Sequence, residues 1–125
     1  MVKIKSFYDL EAWKEARFLI LEVYQVTKNF PREENFGITS QIRRCSFSIA
    51  ANIAEGFGRF HYRDKIRFYY QSRGSIFELQ NFIILARDLG YIDQNNCKKL
   101  GKKSTSIAKL INGLIRSVEK TYKSR

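Results

Sequence analysis

Apolar residues recur along this chain at alternating steps of four and three, the spacing that keeps side chains on one face of an α-helix. The first such row is Ala12, Ala16, Leu19, Val23, Val26 and Phe30, with Leu10, Trp13, Ile20 and Tyr24 forming a second edge beside it. Ser6 to Asp9 supplies competent N-caps for this helix, and Pro31 ends it, pushing Phe30 toward extended geometry. After a charged connection at Arg32 to Gly37, a second helix is expected to run to about Ala54, closed by Gly56 and Gly58, which accept a left-handed helix end. Phe60, His61 and Tyr62 form a turn. A third helix, from about Arg63 to Leu89, carries Phe68, Ser72, Ser75, Leu79, Phe82, Ala86 and Leu89, with Ile66, Tyr69, Ile76 and Ile83 as its second edge. Small residues at Ser72, Gly74 and Ser75 allow a neighbouring helix to come close. Gly90 stops this helix and Asp93 caps a fourth, whose row is Cys97, Leu100, Ser104, Ile107, Ile111, Leu114, Val118 and Thr121. No segment alternates with period two over strand length. Four long helices with short connections predict an all-α, up-down-up-down four-helix bundle.

A polar row interrupts the most apolar stretch, Gln41 to Gly58. Gln41, Arg44, Ser48, Asn52 and Glu55 share one helix face, between Ile42, Cys45 and Ile49 on one side and Phe47, Ala50, Ala51 and Ala54 on the other. A helix apolar on most sides is expected at the centre of the bundle, where its polar groups need partners. Folding the second and third helices into a hairpin at Arg59 sets Ser48 opposite Gln71 and Arg44 near Ser75 and Glu78. An Arg44–Glu78 ion pair is therefore expected, with Glu55 meeting Arg59, Arg63 or Arg67. The favoured reading is a structural network that fixes helix register; the alternative is a binding or catalytic row. Removing one partner of the pair would cost about 3–5 kcal/mol if the pair is buried.

At 125 residues the chain makes one domain, residues 1–125, long enough to bury roughly two-thirds of its unfolded surface. Its 23 Lys and Arg against 12 Asp and Glu leave a net charge of +11, which favours a polyanionic partner. Cys45 and Cys97 have no metal-ligand spacing, and no apolar secretory segment opens the sequence, so both are expected as reduced core thiols of a cytoplasmic protein. No run of apolar residues is long enough for a membrane span. His61 is the only histidine and no glycine loop fits a phosphate-cradling motif. Arginines around Glu55 and Glu78 would keep both ionised, against acid–base work. No enzyme activity, cofactor or metal is expected.

Two basic clusters remain. Arg59, Arg63, Lys65, Arg67 and Arg73 surround the middle turn, near Phe57, Phe60, Tyr62 and Tyr70, whose rings could stack on unpaired bases. The fourth helix and tail carry Lys98, Lys99, Lys102, Lys103, Lys109, Arg116, Lys120, Lys123 and Arg125. Lys98–Lys102 and Lys99–Lys103 are like-charge i,i+4 pairs, a mild helix cost that suggests use. Arg59, Arg63, Arg67, Lys98, Lys99, Lys102, Lys103, Lys109 and Arg116 are the candidate nucleic-acid ligands, set against the plain alternative of a solvated lysine face. Nothing offers a groove-reading helix-turn-helix, so binding of RNA or DNA would be led by phosphates with little sequence preference. The competing function is a protein-interaction scaffold for an acidic partner such as a polymerase-like enzyme. Surplus apolar rows on the first and third helices also predict self-association.

FYDLEAW, FPREENFG, QIRRCSFSIAANIAEGFGR and RGSIFEL with its downstream LGYI resemble the four-helix-bundle family encoded in intervening sequences of bacterial 23S ribosomal RNA genes. The resemblance covers nearly the whole chain. It implies a bundle that associates into a ring, a pentamer. It also implies kinship with the accessory bundle protein of diversity-generating retroelements, a basic ring that binds nucleic acid and a reverse transcriptase. Family polar positions match Gln41, Arg44, Ser48, Asn52, Glu55, Gly56, Arg59, Ser75 and Glu78. Two departures stand out. Ala50 replaces a proline found in relatives, which predicts a less kinked second helix, and His61 stands where a serine or threonine cap is expected.

Overall fold

A computed structural model describes residues 3–123; Met1 and Val2 of the basic lead, and Arg125 of the basic tail, lie outside the described residues. Four long helices and no strand occur among the described residues: α1 (Glu11–Thr27), α2 (Ile38–Gly58), α3 (Tyr62–Asp88) and α4 (Gln94–Lys123). Each packs mainly on the next in sequence, and α4 returns to α1. This is the expected up-down-up-down four-helix bundle.

The helix ends follow local chemistry, and several differ from expectation. Asp9 caps a short 3-10 turn, its Oδ2 accepting from the backbone N–H groups of Lys5 and Ser6 at 3.0 and 3.1 Å, so α1 begins two residues later. α1 ends at Thr27, whose hydroxyl turns back onto the Val23 carbonyl at 2.8 Å. Phe30 lies beyond the helix yet stays buried, against the Tyr91 ring. His61 begins α3 from extended backbone, with no side-chain hydrogen bond to a helix amide. Gly90 behaves as expected: at φ +82° it closes α3, with Gly90 N–H on the Arg87 carbonyl and Tyr91 N–H on the Ala86 carbonyl. Asp93 caps α4, its Oδ1 accepting from Asn96 N–H at 2.7 Å.

Gly56 and Gly58 do not close α2, which continues through both with no left-handed residue. The end of α2 is capped instead by Lys65 of α3, whose ammonium donates to the carbonyls of Phe57 (2.8 Å) and Gly56 (3.3 Å). A cation on the last carbonyls of a helix satisfies groups that have no intrahelical partner. Burial holds the Lys65 pKa below the ordinary lysine value. Gly56 serves packing: a Cβ there would stand 2.6 Å from the Tyr69 ring and 3.2 Å from the Lys65 carbonyl.

The core runs the length of the bundle, from Ala12, Leu19 and Val23 on α1 through Ile42, Ile49 and Ile53 on α2 to Ile76 and Leu79 on α3 and Ile107 and Ile111 on α4. On α3 the edge Tyr69–Ile76–Ile83 is buried with Ser72 and Leu79, whereas Leu89, placed in the core row by its spacing, is exposed. The surplus apolar row of α3 is therefore a different one, Tyr70, Phe77 and Ile84. The second edge of α1 is likewise absorbed, since Tyr24 packs edge-on against Phe47 and Trp13 against Phe7. Nor is α2 wholly enclosed: Phe47 and Ala51 face outward. Ser72 and Ser75 do admit a neighbour, but Gly74 faces open space.

Two glycine-to-alanine exchanges should therefore act with opposite sign in chemical denaturation. Gly56→Ala should destabilise by about 1–3 kcal/mol, because the Tyr69 ring and Lys65 backbone must shift. Gly74→Ala should stabilise by about 0.5–1 kcal/mol, because it adds helix propensity and meets nothing. Equal shifts at the two sites would contradict the close α2–α3 approach.

Candidate nucleic-acid interface

The polar row of α2 meets α3 as a continuous seam. Arg44 Nη2 lies 3.0 Å from Glu78 Oε2, the expected ion pair, and Gln41 Oε1 accepts from the same guanidinium at 2.9 Å. One turn on, the hydroxyls of Ser48 and Ser75 are 2.8 Å apart. Asn52 Nδ2 donates to Ser48 Oγ at 3.0 Å, and Ser75 Oγ donates to the Gln71 carbonyl at 3.1 Å. These ends orient the chain of hydroxyls, so Ser48 donates to Ser75. Glu55 takes Arg59, at 2.9 Å.

Two expectations for this seam are corrected. Ser48 faces Ser75 rather than Gln71, one helical turn along, because α2 runs four residues past Ala54 and moves the hairpin pivot toward His61. The seam is also an inner ladder only in its middle, where Ser75 is buried, and not at its charged ends. The Arg44 and Glu78 side chains are 58% and 40% exposed, so water screens the pair and its worth falls to about 0–1 kcal/mol. Cys45 lies beneath it, fully buried. Burial, followed by the Glu78 carboxylate beside it, pushes its thiol up to about 12, far from the thiolate needed for reactivity.

The nine candidate ligands do not form one patch. At the α2–α3 turn, Arg59 and Arg67 both lie over the Phe68 ring, at 4.6 and 4.4 Å, and both face carboxylates, Glu55 and Asp64. Arg63 is exposed beside Tyr62, which stacks on Tyr122 at 3.6 Å. Lys103 is a structural tie, its ammonium 2.9 Å from Glu22 across the α1–α4 contact. Lys99 lies on that same side, lining a groove with Leu21, Glu22 and Gln25.

Lys98, Lys102 and Lys109 come together. They line an open groove of about 550 Å³ between α3 and α4, over a floor that includes Ile83, Ile84, Cys97 and Gly101. Gln80, Thr105 and Ser106 complete its walls, and no acidic residue lines it. None of the three lysines is in an ion pair among the described residues. Arg116 is exposed two turns beyond Lys109 and continues the line. Hydrogen bonds tie the α3 and α4 walls: Gln80 Nε2 donates to Ser104 Oγ (2.9 Å) and more weakly to Thr105 Oγ1 (3.4 Å), and Arg73 Nη1 donates to Asn112 Oδ1 (2.8 Å). Sequence reasoning missed Gln80, Thr105 and Ser106 because polar residues at helical spacing carry no mark of which neighbour they will face. No helix among the described residues is long and apolar enough to cross a membrane.

The sequence profile described as 23S rRNA-intervening sequence protein matches residues 8–113. No curated protein matches. Among solved structures, the chain is similar to a protein with unknown function from the S23 ribosomal protein family of Bacteroides thetaiotaomicron. The two are 21% identical, with 84% of this chain and 95% of that chain covered, and a TM-score of 0.77. At that identity the likeness shows the fold alone.

A double-mutant cycle on Arg44→Met and Glu78→Gln should return a coupling of about 0–1 kcal/mol in denaturant titrations; several kcal/mol would mean the pair is shut away from water. A disulfide reagent at pH 8 should leave Cys45 unmodified in the folded protein and label it once denaturant is added. Rapid labelling before unfolding would contradict its enclosure.

Proposed function

Because the chain belongs to the 23S rRNA-intervening sequence protein family, we propose that it is a non-enzymatic basic helical bundle that binds RNA or DNA through phosphates. The observation that carries this reading is the α3–α4 groove: Lys98, Lys102 and Lys109 converge there with no carboxylate among its lining residues. Cations left unpaired on a folded surface gain most from a polyanion, whose condensed counterions they release. The hydroxyls of Thr105 and Ser106 add donors suited to phosphate oxygens. The Cys45 thiol, enclosed beside Glu78, is held protonated, which supports the non-enzymatic reading.

Self-association belongs to the same reading. Phe18 and Leu21 of α1 and Phe47 of α2 are each more than half exposed, an apolar surface that supports contact between copies. A ring of five is the form implied by the family resemblance. A cytoplasmic location fits reduced cysteines and a nucleic-acid partner.

A salt titration tests the binding. Log affinity should fall linearly with log salt, by about 0.9 per phosphate neutralised on duplex and about 0.7 on single strands. Replacing Lys98, Lys102 and Lys109 together by glutamine should flatten that slope by about 2–3 units. Lys103→Gln should leave the slope nearly unchanged, because Lys103 is engaged with Glu22. Affinity insensitive to salt, or equal losses from Lys103 and the groove lysines, would point instead to a protein partner. Sedimentation over a range of concentrations tests self-association, and a monomer throughout contradicts it.

A further inference from the structure

The two helices that wall the lysine groove carry matching seven-residue repeats. The bonds Gln80–Ser104 and Arg73–Asn112 fix their antiparallel register. Extended along the helices, that register sets Ile84 level with Gly101, Phe77 with Ala108 and Tyr70 with Ile115. In each case the next residue of α4 is a cation: Lys102, Lys109 and Arg116. Seven residues of helix rise about 10.5 Å, so the face presents three evenly spaced rungs, each pairing an apolar side chain with a cation.

The apolar members of these rungs are exposed: Tyr70 is 44%, Phe77 59% and Ile84 46% accessible. The Tyr70 ring is held in place, since the Arg73 guanidinium lies 4.7 Å over it and is itself anchored on Asn112. Between the two rings sits Gly74, four residues from Tyr70 and three from Phe77. A glycine in mid-helix costs stability, and here no neighbouring atom requires it. It leaves bare backbone between two rings, beside a line of cations.

A duplex offers phosphates but keeps its base faces stacked inside, so exposed rings gain nothing from it. A single strand offers both, with phosphates on one edge and π-faces on the other. We infer that this face is a track for single-stranded nucleic acid, with backbone phosphates on Lys102, Lys109 and Arg116 of α4 and bases stacked on Tyr70 and Phe77 of α3. The inference rests on the phosphate-binding reading above and names its substrate class. Arg73 covers one face of Tyr70 and leaves the other for a base. The gap at Gly74 gives a second base room to approach Phe77.

The test compares a labelled polyuridine oligonucleotide with an RNA duplex of equal length, using the full chain at matched salt. Polyuridine should bind the tighter. Tyr70→Ala and Phe77→Ala should each weaken it about tenfold while leaving duplex affinity and the salt slope unchanged. Gly74→Leu, which fills the gap and favours the helix, should also weaken polyuridine while circular dichroism and thermal stability hold. Equal affinity for both probes, or polyuridine binding indifferent to all three substitutions, would overturn the track and leave phosphate binding standing. The latter result is expected if the rings serve a protein partner. Salt-dependent binding of neither probe would overturn the phosphate reading together with the track.

Discussion

The close approach of α2 and α3 is the constraint on which the other contacts of the bundle depend. Gly56 has no side chain because the Tyr69 ring occupies that space. Ser72, wholly buried, sends its hydroxyl 2.7 Å onto the Ile49 carbonyl of the facing helix, and Ser48 and Ser75 touch one turn further along. Small residues let two backbones come near, and their hydroxyls then find partners at that distance instead of remaining buried and unpaired. Register follows, because a slip of one turn would break the Ser72 bond and drive Tyr69 off its glycine. With α2 and α3 fixed, α4 is laid along α3 by Gln80 and Arg73, and its lysines fall where they do.

The positive charge of the chain divides into cations spent within the fold and cations left outside it. Lys65 caps the last carbonyls of α2, Lys103 joins α4 to α1 through Glu22, and Arg43 lies over Tyr24 while donating to Thr27 at 2.9 Å. Arg59 and Arg67 share Phe68. These groups already have their partners, and a phosphate would have to compete for them. Lys98, Lys102, Lys109 and Arg116 have no such engagement among the described residues. Net charge alone treats the two sets alike, although their expected contributions to a polyanion differ.

The fold was legible because periodicity is a property of the chain itself: the rows through Ala12–Val23 and Cys97–Ile111 are buried where their spacing put them. The Arg44–Glu78 pair was legible for a related reason, since a short connection leaves an antiparallel hairpin little choice of register. Burial of the seam was not legible. A polar row among alanines and isoleucines looks the same whether a third helix covers it or water does, and here water reaches the charged pairs at its ends while Ser75 stays buried. Gly56 also misled, because glycine near a helix end signals a cap by conformation, whereas this one is required by the ring of Tyr69, which lies on the next helix and comes adjacent only when the hairpin closes. Lys103 and Lys99 share the spacing of Lys102 and Lys98, and only the placement of Glu22 distinguishes a tie from an unengaged charge.

Native-state hydrogen exchange tests the primacy of the α2–α3 approach most directly. If the small-residue contacts organise the bundle, the slowest amides should lie on the facing turns around Ile49 and Ser72, exchanging only when the whole molecule unfolds, while the outer turns of α1 and α4 open more easily. Amides of α1 and α4 that outlast those around Ile49 and Ser72 would contradict the account.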